Sequence, residues 1–119
     1  MKPDLTDQTI LITGSGRGLG KHAAIHLASC GAIIGVADID GNIAQETVAA
    51  IVKNGGRAKP YIGDLSDRGT FEQIAADFAA QSGHIDAIIN NAMLLRYSPV
   101  QDVDEETLSA MLDIGIKAL

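Results

Sequence analysis

The stretch Thr13-Gly14-Ser15-Gly16-Arg17-Gly18-Leu19-Gly20 constrains this chain more than any other. It joins a short apolar run, Thr9-Ile10-Leu11-Ile12-Thr13, to a segment of helical period from about Gly18 to Ser29. A run that is apolar through its middle reads as a strand covered on both faces. Glycines let the turn be tight and let backbone N–H groups approach a pyrophosphate, while the helix start adds the positive end of its dipole. In that reading Gly14 makes the turn, Gly18 gives close access and Gly20 lets the helix pack tightly on the strand. Glycines also serve turns for purely conformational reasons. A strand before and a helix after are the context that makes this a dinucleotide-binding signal.

The rest of the chain repeats the same alternation. Ile33 to Ala37 is a second apolar run ending at Asp38, and a helix from near Asp40 carries Ala44, Val48 and Ile51 before Gly55-Gly56. A third strand, roughly Ala58 to Ile62, leads to Asp64. Asp67 is placed to cap a helix whose stripe is Phe71, Ile74, Ala75 and Phe78, with Gly83 as its stop. Ala87-Ile88-Ile89 is a fourth strand, followed by a loop from about Ala92 to Val103 and a last helix from Asp104 with Leu108, Met111 and Leu112 as its stripe. Right-handed crossovers on such a series predict an α/β doubly wound parallel sheet of the Rossmann type, strand order 3-2-1-4. Nothing after Ile114 to Leu119 stops the last helix, so residues 1–119 read as one domain truncated before its remaining strands.

Composition narrows the function. Nine basic residues against fifteen acidic ones give a formal charge of -6, the wrong sign for a protein that grips a nucleic-acid backbone. No apolar run reaches membrane-spanning length, and Met1-Lys2-Pro3-Asp4 lacks the apolar stretch of a signal peptide. The single cysteine, Cys30, rules out an internal disulfide framework and fits a reducing cytosol, so a cytoplasmic protein is expected. His22, His26 and Cys30 are spaced by four on one helix, where three ligands diverge too far to share an ion, so no metal site is expected. No Ser/His/Asp set is recognisable, and His84 has only Asp86 nearby in the chain.

Asp38 ends the second strand, eighteen residues beyond Gly20, where a carboxylate accepts hydrogen bonds from the adenosine ribose hydroxyls. It repels a 2′-phosphate and so favours NAD over NADP. Arg17 pulls the other way, since a base in the glycine loop could meet that phosphate, but one carboxylate on the ribose outweighs one flexible arginine.

The Thr-Gly-x-x-x-Gly-x-Gly turn, Asp38, the Asp64-Leu65 pair and the Asn90-Asn91-Ala92 run together resemble the N-terminal signature of the short-chain dehydrogenase/reductases, from about Gln8 to Leu119. The resemblance implies a seven-stranded parallel sheet binding a nicotinamide dinucleotide, and an oxidoreductase acting on a small alcohol or carbonyl substrate. By it, Asp64 and Leu65 contact the adenine, Asn90 closes the sheet near the cofactor, and Ala92 lies along the ribose–nicotinamide side. Arg17, Leu19 and Ile39 complete the candidate cofactor-binding set. The family also implies a homo-oligomer built through the last helix and the one after it.

Three departures stand against the pattern. Met93 follows Asn-Asn-Ala where the family usually has glycine, and Gly115 stands where the family carries its catalytic asparagine. The family's serine and Tyr-x-x-x-Lys pair are absent, since Tyr61 is followed four residues later by Leu65 and Tyr97 by Gln101. The chain therefore offers no catalytic residue of its own and is expected to be inactive alone. A non-catalytic nucleotide-binding or regulatory module of the same ancestry is the alternative reading. A flavodoxin-like or phosphoacceptor module needs an acidic cluster at the end of strand one, where Thr13 stands.

Overall fold

The computed structural model of the chain describes residues 2–91 and Glu106. Strands β1 (Thr9–Thr13), β2 (Ile33–Asp38), β3 (Arg57–Ile62) and β4 (Ala87–Ile89) alternate with helices α1 (Gly18–Ser29), α2 (Gly41–Lys53) and α3 (Arg68–Ser82). The four strands form one sheet in the order β3-β2-β1-β4, every pair parallel, as the alternation predicts. The segment expected to form the last helix, and with it the expectations on Ala92, Met93, Leu108, Met111, Leu112 and Gly115, lies outside the described residues apart from Glu106.

The pleat divides the core. Ile10, Ile12, Ile34 and Val36 point to the face where Ala24 and Ala28 of α1 and Ala44 and Ile51 of α2 close over them. Leu11 and Ala37 point to the other face, where Leu65, Ile74 and Phe78 form the second cluster. Close approach there depends on Gly35, whose added Cβ would sit 2.8 Å from Leu11 and 3.1 Å from the Phe78 ring. All of β1 is buried, which explains why its sequence is apolar without alternation.

Local chemistry sets the ends. The Asp40 carboxylate accepts from the Asn42 and Ile43 amides and caps α2, as expected. Asp67 occupies the N-cap of α3, but its carboxylate takes the Thr70 hydroxyl at 2.7 Å instead of a backbone amide. Gly83 ends α3 with φ 94, a conformation that costs glycine nothing. Pro60 falls in β3, which is an edge strand among the described residues, the place in a sheet where proline is tolerated. The buried stripe of α2 differs from the apolar spacing, for Thr47 is fully buried beside Ala44 and Ile51 while Val48 is half-buried. At the opposite edge β4 pairs with β1, and Ala87, Ile88 and Ile89 are all exposed.

The start of the sheet is clamped by one carboxylate. Asp86 accepts the Thr9 amide at 2.8 Å and the Thr9 hydroxyl, and His84 Nε2 lies 3.0 Å away. These bonds, the Thr9 amide foremost, hold the Asp86 carboxyl below the usual carboxylate range.

Candidate functional site

In a parallel sheet all strands end on one side, so the residues after β1, β2, β3 and β4 converge there. The loop after β1 is the centre of that convergence. Gly14 (φ 63) and Gly18 (φ 59) both adopt the left-handed conformation that glycine tolerates best. Ser15 is fully buried, its hydroxyl bonded to the Ile12 carbonyl at 2.7 Å and its amide to the Ala37 carbonyl. A Cβ on Gly20 would meet the Gly14 carbonyl and the Asn91 side chain at 2.5 Å, so α1 starts hard against the strand it leaves.

Asp38 lies under this loop, only 6 % exposed. One carboxylate oxygen accepts the Gly16 amide at 3.0 Å and the other accepts the Asp40 amide at 3.0 Å. The residue expected to face the ribose is therefore also a brace between β2, the glycine loop and the start of α2. Beside it, Ile39 is 65 % exposed and Leu19, on the first turn of α1, is 78 % exposed. Arg17 is exposed and makes no ion pair with the described residues.

The two residues expected at the adenine, Asp64 and Leu65, differ in burial. Leu65 is buried in the cluster under α3, leaving Asp64 as the exposed member. The Asp64 carboxylate accepts the Ser66 hydroxyl at 2.7 Å and the Ser66 amide at 3.0 Å, which pull its pKa below the ordinary value. At the end of β4 the tie to the loop is made by Asn91, next to Asn90, the residue expected near the cofactor. The Asn91 amide donates to Thr13 Oγ1 at 2.9 Å and its Nδ2 to the Gly14 carbonyl at 3.3 Å, while Asn90 is exposed. The two asparagines are adjacent, and only the register of β4 on β1 decides which one turns inward.

One site residue gave no chemical signal in the sequence. Thr47 reaches across from α2 to donate its hydroxyl to the Gly16 carbonyl at 2.9 Å. A threonine in mid-helix reads as a surface residue, so only its burial reveals it.

Along α1, His22 and His26 are exposed and the C-cap residue Cys30 is buried, and His22 Nδ1 contacts the Gly18 carbonyl at 2.9 Å. A cleft of about 460 Å³ runs along β3 between Arg57, Lys59, Tyr61, Phe78 and Gln81, and no residue of the glycine loop lines it.

These residues fit a dinucleotide. The N-cap residue Arg17 makes no side-chain cap, so the first amides of α1 are not satisfied by a cap. The Cβ position of Gly18 has no atom within 4 Å, so the backbone there is approachable.

A sequence model described as short chain dehydrogenase matches residues 8–119. The chain belongs to the short chain dehydrogenase family. An uncharacterized oxidoreductase of Thermotoga maritima is 33% identical over 110 residues, covering 92% of this chain and 43% of that protein. The short-chain dehydrogenase/reductase homolog YusS of Bacillus subtilis is 32% identical over 105 residues, 87% of this chain and 96% of its own length. A metagenomic short-chain oxidoreductase, solved in complex with NADP, superposes with a TM-score of 0.90 at 28% identity, over 97% of this chain and 52% of that one. The chain thus spans about half the length of the Thermotoga and metagenomic proteins and nearly all of YusS.

Proposed function

We propose that this short chain dehydrogenase is the nucleotide-binding half of an NAD-dependent oxidoreductase acting on a small alcohol or carbonyl compound. The observation that carries the reading is Asp38: a buried carboxylate at the end of β2, braced on the loop by the Gly16 amide. A carboxylate held there accepts ribose hydroxyls and disfavours a 2′-phosphate. The uncapped amides at the start of α1 face the pyrophosphate charge, and Leu19, Ile39 and Asp64 supply exposed contacts around the adenosine. Asn91 keeps the loop registered on the sheet. When bound, the dinucleotide supplies or accepts the hydride. The proton at the substrate oxygen needs a positioned acid or base, and no Tyr-x-x-x-Lys occurs in these 119 residues. We assign that step, and the family's homo-oligomeric assembly, to the longer protein, and place the protein in the cytoplasm.

Fluorescence titration tests the cofactor. NADH is expected to bind at least about tenfold more tightly than NADPH, about 1.4 kcal/mol, and Asp38→Ala to erase most of the difference. Equal binding by the unmodified chain overturns the assignment and makes Arg17 the residue that governs the pocket.

A second reading, a non-catalytic nucleotide-binding module, is favoured by the match to nearly the whole of YusS. The reading frame following Leu119 separates the two: a serine and a Tyr-x-x-x-Lys there support the oxidoreductase, and their absence supports the module.

A further inference from the structure

Gly16 is held from two directions. Its amide donates to Asp38 Oδ2 at 3.0 Å, and its carbonyl accepts the Thr47 hydroxyl at 2.9 Å. The amide belongs to the peptide before Gly16 and the carbonyl to the peptide after it, so two consecutive peptide planes are fixed by side chains from β2 and α2. The slot admits no side chain, for an added Cβ would lie 2.6 Å from Ile43 Cγ2 and 2.7 Å from Asp38 Oδ2. Thr47 itself is fully buried, between Ala44 and Ile51 on the packed face of α2.

A buried hydroxyl is worth keeping only where it is bonded, since apolar valine has the same shape without the cost of burying a polar group. The bond here crosses 31 residues and lands on the peptide that leads through Arg17 into the first turn of α1. That peptide leads directly into Arg17, the N-cap of α1, after which the Gly18 and Leu19 amides begin the helix. The same loop residue carries the amide that braces Asp38.

We propose that Thr47 is a positioning residue for nucleotide binding: its hydroxyl locks the Gly16 peptide so that Asp38 and the α1 amides present one fixed geometry. The inference rests on the nucleotide-binding reading above. It adds to that reading a residue on a different helix that acts through the loop and does not touch the ligand.

The test compares the unmodified chain with Thr47→Val and Thr47→Ser, by titration with NADH and NADPH and by amide hydrogen exchange of the glycine loop in the ligand-free protein. Thr47→Val is expected to weaken NADH binding about fivefold, the effect of one net hydrogen bond, while Thr47→Ser stays within about twofold of the unmodified chain. Thr47→Val is also expected to narrow the NADH-over-NADPH preference and to speed exchange of the Gly16 amide. A purely packing role would lower both affinities equally and leave serine no better than valine, and that result overturns the proposal. So does a Thr47→Val chain with unchanged affinity and unchanged exchange. If the valine variant does not fold, Thr47→Ala measured against Thr47→Ser isolates the same hydroxyl. If the unmodified chain binds neither dinucleotide, the nucleotide reading fails and exchange decides alone: faster exchange in Thr47→Val sustains the lock, and unchanged exchange overturns it.

Discussion

Replacing Gly20 with alanine probes the contact on which the whole site is built. The added Cβ lies 2.5 Å from the Gly14 carbonyl oxygen, 2.5 Å from Asn91 Nδ2 and 3.0 Å from Ser15 Cα. Contact between such atoms is comfortable at about 3.5 Å, so each neighbour must retreat by up to about 1 Å. The Asn91 amide can swing aside, giving up its 3.3 Å bond to the Gly14 carbonyl. The Gly14 carbonyl and Ser15 Cα are backbone, held between β1 and α1, so relief there requires α1 to lift from the sheet. Overpacking of this kind costs about 1–3 kcal/mol and the lost hydrogen bond about 0.5–1.5 kcal/mol. Alanine returns about 1 kcal/mol of helix propensity. The net expectation is a loss of about 0.5–3.5 kcal/mol, read from urea melts followed by far-UV circular dichroism. Gly69, in the first turn of α3, is the control, because the nearest atom to its added Cβ is Asp67 Oδ1 at 3.9 Å. Gly69→Ala is expected to be neutral or stabilising. A Gly20→Ala chain within about 0.5 kcal/mol of the unmodified one, the spread of ordinary surface changes, would refute the packing argument.

Other outcomes follow from the same geometry. Leu11→Ala removes a fully buried side chain from the cluster under α3 and is expected to cost about 2–5 kcal/mol in the same melts, and a loss below about 1 kcal/mol would show that α3 does not close a packed core. The Asp86 carboxyl is held below its ordinary value mainly by the Thr9 amide, so the folded chain binds fewer protons in acid than the unfolded one. Its stabilising effect is complete above the unfolded carboxylate value of about 3.9 and is lost as pH falls through the lower folded value. Melting temperature is therefore expected to drop across this acid range, and less steeply in Asp86→Asn; an identical acid slope in that variant would remove Asp86 from the account. With NADH absorbance as the readout, the chain alone is expected to turn over no alcohol, because no Tyr-x-x-x-Lys occurs in these 119 residues to move the proton. Turnover that survives repurification would show that another side chain serves.

Much of this protein is local physics and was open to reading in the sequence. The bounds of β1 and α1 follow from an apolar five-residue run, a glycine turn and a helical stretch that ends before Gly31. Strand order 3-2-1-4 follows because a crossover between parallel strands has one favoured hand. Asp38 and the glycines stand out in the sequence because each lies at a strand end, which periodicity marks. Tertiary structure alone decided which member of each adjacent pair turns inward. Asn91 turns inward and Asn90 outward because of the register of β4 on β1, and Leu65 is core while Asp64 is exposed because α3 folds back over the sheet. Thr47 meets Gly16 only because α2 packs beside α1 across the same face, a contact between residues far apart in the chain. A hydroxyl in mid-helix looks the same in sequence whether it faces water or a buried carbonyl. Spacing fixes which face a residue shares, but what lies opposite that face is set by the packing of the whole domain.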